Sequence, residues 1–225
     1  ANSSWVYSTE AFSDNKTDNR FTALFEEITT AVQHGRKGDD AAEGEFGLGT
    51  VLVFAAGNYG QDGDSSNYHS FSSTPETIAV GSVGQYGSAL TTTSTGSSIL
   101  VSAPGEAILT TDLSGAAGYS TGDYHDSFSG TSAAAPIVAG VAGLMLQANP
   151  DLGYRDVQEI IAYSAVNPTS NVWLSNQATT FSGGGLTFTD EYGFGLVDAH
   201  AAVRLAETWT GQGTAENLVV SSFTS

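Results

Sequence analysis

The sequence predicts an α/β fold built on a mainly parallel sheet. Three observations point there. Apolar runs of strand length, residues 50–56 (TVLVFAA) foremost, suit strands buried on both faces. Stretches with helical periodicity lie between those runs, so strands and helices alternate along the chain. One long segment, 133–148, consists almost wholly of small apolar residues and calls for a buried helix. The chain has 225 residues, 40% of them hydrophobic, enough for one sizeable domain with a real core.

Each element has a local reason. Residues 2–6 read as a short strand. Residues 17–34 fit an amphipathic helix, because Phe21, Leu24, Phe25, Ile28, Ala31 and Val32 recur at helical spacing. Asp18 stands at its N-cap position, and His34-Gly35-Arg36-Lys37 supplies a basic stop. Residues 38–49 form an acidic loop containing glycine. Residues 50–56, 77–83 and 98–103 are strands. The helix over 133–148 is expected to be buried all round, since it has no polar face, and Asn149-Pro150 stops it. Asp151 is expected to cap a helix over 154–164, with Val157, Ile160 and Ile161 on one face. Residues 186–194 alternate around a turn and read as a hairpin. Asp198 caps a last helix that runs to Trp209. Residues 210–225 read as a linker or tail toward a further domain, which leaves 1–209 as one unit.

Composition removes several function classes. The net charge is −18, from 6 Lys+Arg against 24 Asp+Glu. Nucleic acid and anionic membrane surfaces call for the opposite sign. Excess carboxylates favour solubility and can hold Ca²⁺. The absence of cysteine excludes disulfides, thiolate zinc sites and a cysteine nucleophile. No run has the length and uninterrupted apolarity of a membrane span. The first residues lack the charged start and apolar centre of a signal peptide. They read like the middle of a strand, as if more of the domain preceded them.

The chemistry gathers at Ser132, where a glycine-containing loop becomes a helix. Free backbone N–H groups and the positive end of the helix dipole face outward at such a junction. A serine held there can attack a carbonyl while its own N–H helps to bind the oxyanion. Gly130 permits close backbone approach, and Pro136 is tolerated only near a helix start. A serine that merely caps a helix looks the same, and spacing alone does not choose. The surroundings are not the G-x-S-x-G elbow.

The stretch Gly130-Thr131-Ser132-Ala133-Ala134-Ala135-Pro136 resembles the catalytic-serine motif of the subtilisin-like serine proteases, in the form used by the kexin-like branch. VLVFAAGNYG, ILVSAPGEAILTT, ANPDLGYRDVQEII and YGFGLVDAHAAVRLAETW are similar to other family segments and occur in family order. The resemblance covers about residues 1–209. It implies a subtilisin-like three-layer fold lacking its N-terminal part, polypeptide substrates, and a place outside the cell. Ser132 would be the nucleophile and Asn58 the oxyanion-hole asparagine. Ser3, Ser4, Trp5 and Val6 would form the edge strand that pairs with substrate, although an ordinary edge strand reads the same way. Ala56 and Gly57 would line one wall of the pocket for the substrate residue before the scissile bond.

The departures are as informative. The family order is Asp, His, Ser, so both partners of Ser132 belong before Asn58. His34 lacks the family's His-Gly-Thr context and reads as a helix-end residue. His69 and His200 have no motif around them, and His125 lies in an insertion-like stretch. An upstream segment is therefore expected to supply the Asp and the His, and without them the serine hydroxyl is not activated. In subtilisin itself, a measured precedent and not a value for this chain, losing the histidine lowers the rate by about 10⁶. Asp62 and Asp64, with Asn67, form a D-x-D-x-x-N run near where kexin-like proteases hold a structural Ca²⁺, and a solvated turn reads the same way. Specificity for paired basic residues is left open. The leading reading is the C-terminal portion of a serine endopeptidase. A non-catalytic relative that binds peptides and a cell-surface adhesion domain are the alternatives.

Overall fold

The computed structural model describes residues 1–8, 10–38, 42, 45–168, 173–175 and 185–211. Its elements follow in chain order as β1 (Asn2–Ser3), α1 (Thr22–His34), β2 (Leu52–Ala55), α2 (Ser70–Ser73), β3 (Thr77–Val83), β4 (Ile99–Pro104), β5 (Ile108–Thr111), β6 (Tyr124–Phe128), α3 (Thr131–Ala148), α4 (Tyr154–Ser164), β7 (Leu174–Ser175), β8 (Thr187–Phe188) and α5 (Ala199–Thr208). Strands β1 to β4 form one sheet in sequential order, with every neighbouring pair parallel.

The period of two in β2 builds both faces of that sheet. Val53 and Ala55 face a large core with Ile78, Val80, Val101 and Ala103. Helix α3 meets it with Ala134, Ala135, Val138, Val141 and Met145, and α4 adds Val157, Ile160 and Ile161. Phe54 joins a separate aromatic core with Phe21, Ile28 and Phe71, into which Phe25 packs. Phe25 stacks on Phe71 with ring centroids 4.7 Å apart. The two faces make three layers, as the sequence implied.

Several boundaries differ from expectation. Strand β1 ends at Ser3, and residues 4–8 leave the ladder. Helix α1 starts at Thr22 with Phe21 as N-cap, not at Asp18. The Asp18 carboxylate instead accepts from the Arg20 backbone N–H at 2.9 Å and pairs with its guanidinium, which closes a turn before the helix. Helix α4 is entered through Gly153, whose N–H donates to Asp156 at 2.8 Å. Asp151 is exposed and does not cap it, because fully buried Leu152 intervenes. Asp198 does cap α5, accepting from the Ala201 N–H at 2.9 Å. The hairpin over 186–194 contracts to a single antiparallel bridge between Thr189 and Gly193, while β8 pairs with β7. Gly193 has φ +67°, and a Cβ there would lie 2.4 Å from the Leu100 carbonyl oxygen. Of the expected tail over 210–225, residues 212–225 lie outside the described residues.

The main correction concerns α3, which is not buried all round. By length and composition it could cross a membrane, yet one face packs across all four strands of the sheet. The other face, with Pro136, Gly140, Gly143, Leu144 and Gln147, is exposed. A Cβ built on Gly140 or Gly143 meets no atom within 4 Å.

This packing predicts opposite signs for two kinds of glycine replacement, read by urea unfolding of the chain. Gly140→Ala and Gly143→Ala each stabilise it by about 0.5–1 kcal/mol, through helix propensity alone. Gly193→Ala destabilises it by roughly 1–3 kcal/mol, because its backbone is left-handed and its space is filled. A loss of stability in Gly140→Ala would show that the outer face of α3 is covered.

Candidate active site

Ser132 reaches its position through two glycines. The Gly130 N–H donates to the Gly105 carbonyl at 2.7 Å, which ties the serine loop to the end of β4. Gly130 has φ +103°, and a Cβ there would sit 2.8 Å from Asn58 Oδ1. Only glycine lets the asparagine side chain lie against this backbone.

Thr131 then closes on Asn58. Its backbone N–H and its hydroxyl both donate to Asn58 Oδ1, at 2.8 and 2.9 Å. The threonine oxygen in turn accepts from the Gly57 N–H at 3.2 Å. A backbone N–H can only donate, so the oxygen of the Asn58 amide faces Thr131 and Nδ2 turns away with its protons free to donate. The Ser132 N–H, second in the helix, has no intrahelical acceptor. The fold thus brings the Ser132 hydroxyl, the expected nucleophile, together with two hydrogen-bond donors.

The other expected substrate-site residues lie around this junction. Ser4 Oγ donates to the Ser132 carbonyl at 3.0 Å, and Ser132 Oγ donates to the Ser4 carbonyl at 3.3 Å. The pair fastens the chain just beyond Ser3 to Ser132. Trp5 is half exposed, edge-on to Phe54 and Phe71 at centroid distances of 5.9 and 5.4 Å. Val6 is half-buried, and Ala56 and Gly57, the two residues after β2, are buried. None of the four histidines hydrogen-bonds Ser132 among the described residues. His34 Nδ1 meets the Glu45 carbonyl at 2.9 Å at the end of α1, as expected of a helix-end residue. His125 packs on Tyr119 from β6, and His200 is exposed on α5.

His69 is the residue that sequence reasoning missed. It is buried, with Nε2 2.8 Å from Asp64 Oδ1 and Nδ1 3.8 Å from Asp14 Oδ1. The second oxygen of Asp64 accepts from Ser94 Oγ at 2.6 Å. Asp14 Oδ2 accepts from the Phe71 N–H at 3.1 Å. No local pattern marks this cluster, because its members come from three separate loops. It also bears on the expected Ca²⁺. Both Asp64 oxygens are engaged, Asp62 is exposed, and no three His, Asp or Glu side chains converge on a metal position among the described residues. Ca²⁺ takes six to eight oxygens, and these residues do not fit it. Asp62 and Asp64 instead line an open cavity of about 480 Å³ with Ala11, Tyr59, Gly63 and Tyr68.

Comparison with known proteins finds relatives of this chain. The Subtilase family model matches residues 2–195. The chain is 34% identical over 192 residues to proprotein convertase subtilisin/kexin type 7 of Mus musculus, covering 80% of this chain and 23% of that protein. It is 35% identical over 175 residues to kexin of Saccharomyces cerevisiae, covering 74% of this chain and 20% of that protein. The chain therefore spans about a fifth to a quarter of the length of these relatives. The crystal structure of a serine protease of Aeromonas sobria superposes with a TM-score of 0.75 at 24% identity, over 94% of this chain and 44% of that one, and so shares the fold.

The buried cluster predicts a pH dependence of stability. Asp14 raises the His69 pKa against the opposing effect of burial, and Asp64 adds to the rise. Burial pushes the Asp14 carboxyl up, but the facing His69 ring and hydrogen bonds from backbone N–H groups outweigh it, and its pKa lies below the ordinary value. The His69 contribution is complete below the unfolded value of 6.5 and disappears as pH rises through the folded value. The Asp14 contribution is complete above its unfolded value of 3.8 and disappears as pH falls through the folded one. The melting-temperature advantage of the chain over His69→Gln should be greatest between these unfolded values and shrink toward alkaline pH. A difference that grows above neutrality would contradict the assignment.

Proposed function

The chain belongs to the subtilase family, and from that premise we propose that it forms the C-terminal part of the catalytic domain of a serine endopeptidase. The observation that carries this is the Thr131–Asn58 lock, which frees the Asn58 amide protons beside Ser132. In the proposed reaction Ser132 Oγ attacks the scissile carbonyl carbon, and the carbonyl π electrons move onto oxygen. Asn58 Nδ2 and the Ser132 N–H donate to that oxyanion. Collapse of the intermediate expels the amine and leaves an acyl group on Ser132, which water then removes. The edge strand at Ser3 and the segment through Val6 would hold extended substrate, with Ala56 and Gly57 beside the residue preceding the cleaved bond.

The proton of Ser132 needs a base. Its hydroxyl donates only to the Ser4 carbonyl among the described residues, and a peptide oxygen is too weak a base to activate it. We assign that role to a histidine, oriented by an aspartate, from polypeptide upstream of Ala1. Two features support such a segment: β1 ends the sheet on one side, and the exposed apolar face of α3 begins one turn after Ser132. The acidic, cysteine-free composition is compatible with work outside the cell. The non-catalytic, peptide-binding reading rests on the same missing base.

The test uses the protein expressed from its complete reading frame. A fluorophosphonate should label it at Ser132, and Ser132→Ala should abolish both labelling and peptide hydrolysis. Asn58→Ala should lower kcat by about 10²–10³, the loss measured for such a donor in subtilisin, a relative, and not a value obtained for this chain. Residues 1–225 alone should give no burst with a peptide ester. Peptide binding without labelling of the complete protein would favour the non-catalytic reading.

A further inference from the structure

The loop that carries Asn58 is gripped from below by a hydrogen-bonded relay. Ser94 is fully buried and holds the backbone on both sides of the asparagine. Its N–H donates to the Gly57 carbonyl at 2.9 Å, and its hydroxyl oxygen accepts from the Tyr59 N–H at 3.1 Å. The approach is close: a Cβ on Gly57, where φ is +111°, would lie 2.7 Å from Ser94 Oγ. The Ser94 hydroxyl has one proton, and Asp64 Oδ2 takes it at 2.6 Å. This leaves the Ser94 oxygen oriented to accept from Tyr59.

Asp64 is held in turn. Its backbone N–H donates to the Tyr59 carbonyl at 3.2 Å, and its second carboxylate oxygen meets His69 Nε2 at 2.8 Å. His69 stands between Asp64 on the loop after β2 and Asp14 on the loop before α1, and Tyr7 borders the same small cavity. His69 Nδ1 and Asp14 Oδ1 are buried, make no hydrogen bond and face each other at 3.8 Å. A carboxylate this deep stays only where donors satisfy it. The donors here are a histidine and a serine that belong to no expected catalytic group.

We propose that Ser94, Asp64 and His69 are positioning residues for the oxyanion site, setting the Gly57–Tyr59 turn so that the Asn58 amide points at the reacting carbonyl. The inference rests on the oxyanion role given to Asn58 above. Thr131 fixes the side chain of Asn58, and the relay fixes the backbone beneath it. An oxyanion donor is effective only if it is aligned before the charge forms, so a turn released by loss of Ser94 keeps substrate binding and loses rate.

A double-mutant cycle in the protein expressed from its complete reading frame tests this. Ser94→Ala, His69→Leu and His69→Gln are each made with Asn58 and with Asn58→Ala, and kcat and KM are measured on one peptide amide. With Asn58 present, Ser94→Ala and His69→Leu should lower kcat about 10-fold, a hydrogen bond's worth of alignment, and move KM less than about 2-fold. His69→Gln, which keeps an N–H for Asp64, should retain most of kcat. With Asn58→Ala the further loss should fall below about 2-fold, because residues that act through one group are not additive. Ser94→Cys keeps the shape and weakens both bonds, and it serves the cycle if Ser94→Ala does not fold. Equal losses in both backgrounds, or no loss with Asn58 present, overturn the proposal. An unchanged kcat in Asn58→Ala alone overturns the oxyanion reading itself, and the proposal with it, which is a separate outcome.

Discussion

Two hydrogen bonds from Thr131 to a single oxygen of Asn58 join the loop after β2 to the start of α3. The junction is close enough to require glycine at 130 and backbone freedom at 57. Because the Thr131 N–H cannot accept, the orientation of the asparagine amide follows from covalent structure and not from a balance of weak preferences. The free amide protons are a consequence of that one contact, while the Ser132 N–H is left without an intrahelical acceptor by its place in the first turn. If these donors form the proposed oxyanion site, it needs no rearrangement when charge develops, which is the basis of its worth in acyl transfer.

The contact depends on how the layers are packed. Helix α3 lies across the sheet with alanine, valine and methionine against it, and small residues allow the helix start to come down near the end of β2. Phe54 faces the other way, into the aromatic core shared with α1 and α2. One short strand therefore anchors both cores and then delivers Ala56, Gly57 and Asn58 to the site. The loops around it are held by buried polar groups, Ser94, Asp64, His69 and Asp14, whose pairing replaces apolar packing where the chain must stay irregular.

The exposed face of α3 is the feature least like an ordinary surface. Pro136, Gly140, Gly143 and Leu144 offer neither charge nor hydrogen bonds to water. It accords with the proposed reading, in which Ser132 takes its base from polypeptide outside residues 1–225. In the proposed reading residues 1–225 supply the binding surface and the oxyanion donors, and the proton chemistry is assigned to polypeptide upstream.

What the sequence determined by itself is the part governed by local pattern. Short apolar runs of strand length placed β2, β3 and β4, and the terminal signals at Asn149-Pro150 and Asp198 placed helix ends. The ordered motifs around Asn58 and Ser132 named the two site residues that the fold brings together. Local pattern failed where a competing local bond or a buried neighbour intervened, as at Asp18, which closes a turn on Arg20, and Asp151, which Leu152 separates from α4. It failed more completely for α3, because an apolar sequence reports that burial is favourable and not which faces have a partner. Only tertiary structure decided that His69 lies between Asp14 and Asp64, 55 and 5 residues away in sequence. No periodicity encodes that cluster. It exists because three loops meet under the Gly57–Tyr59 turn, and charges brought out of water there must find one another.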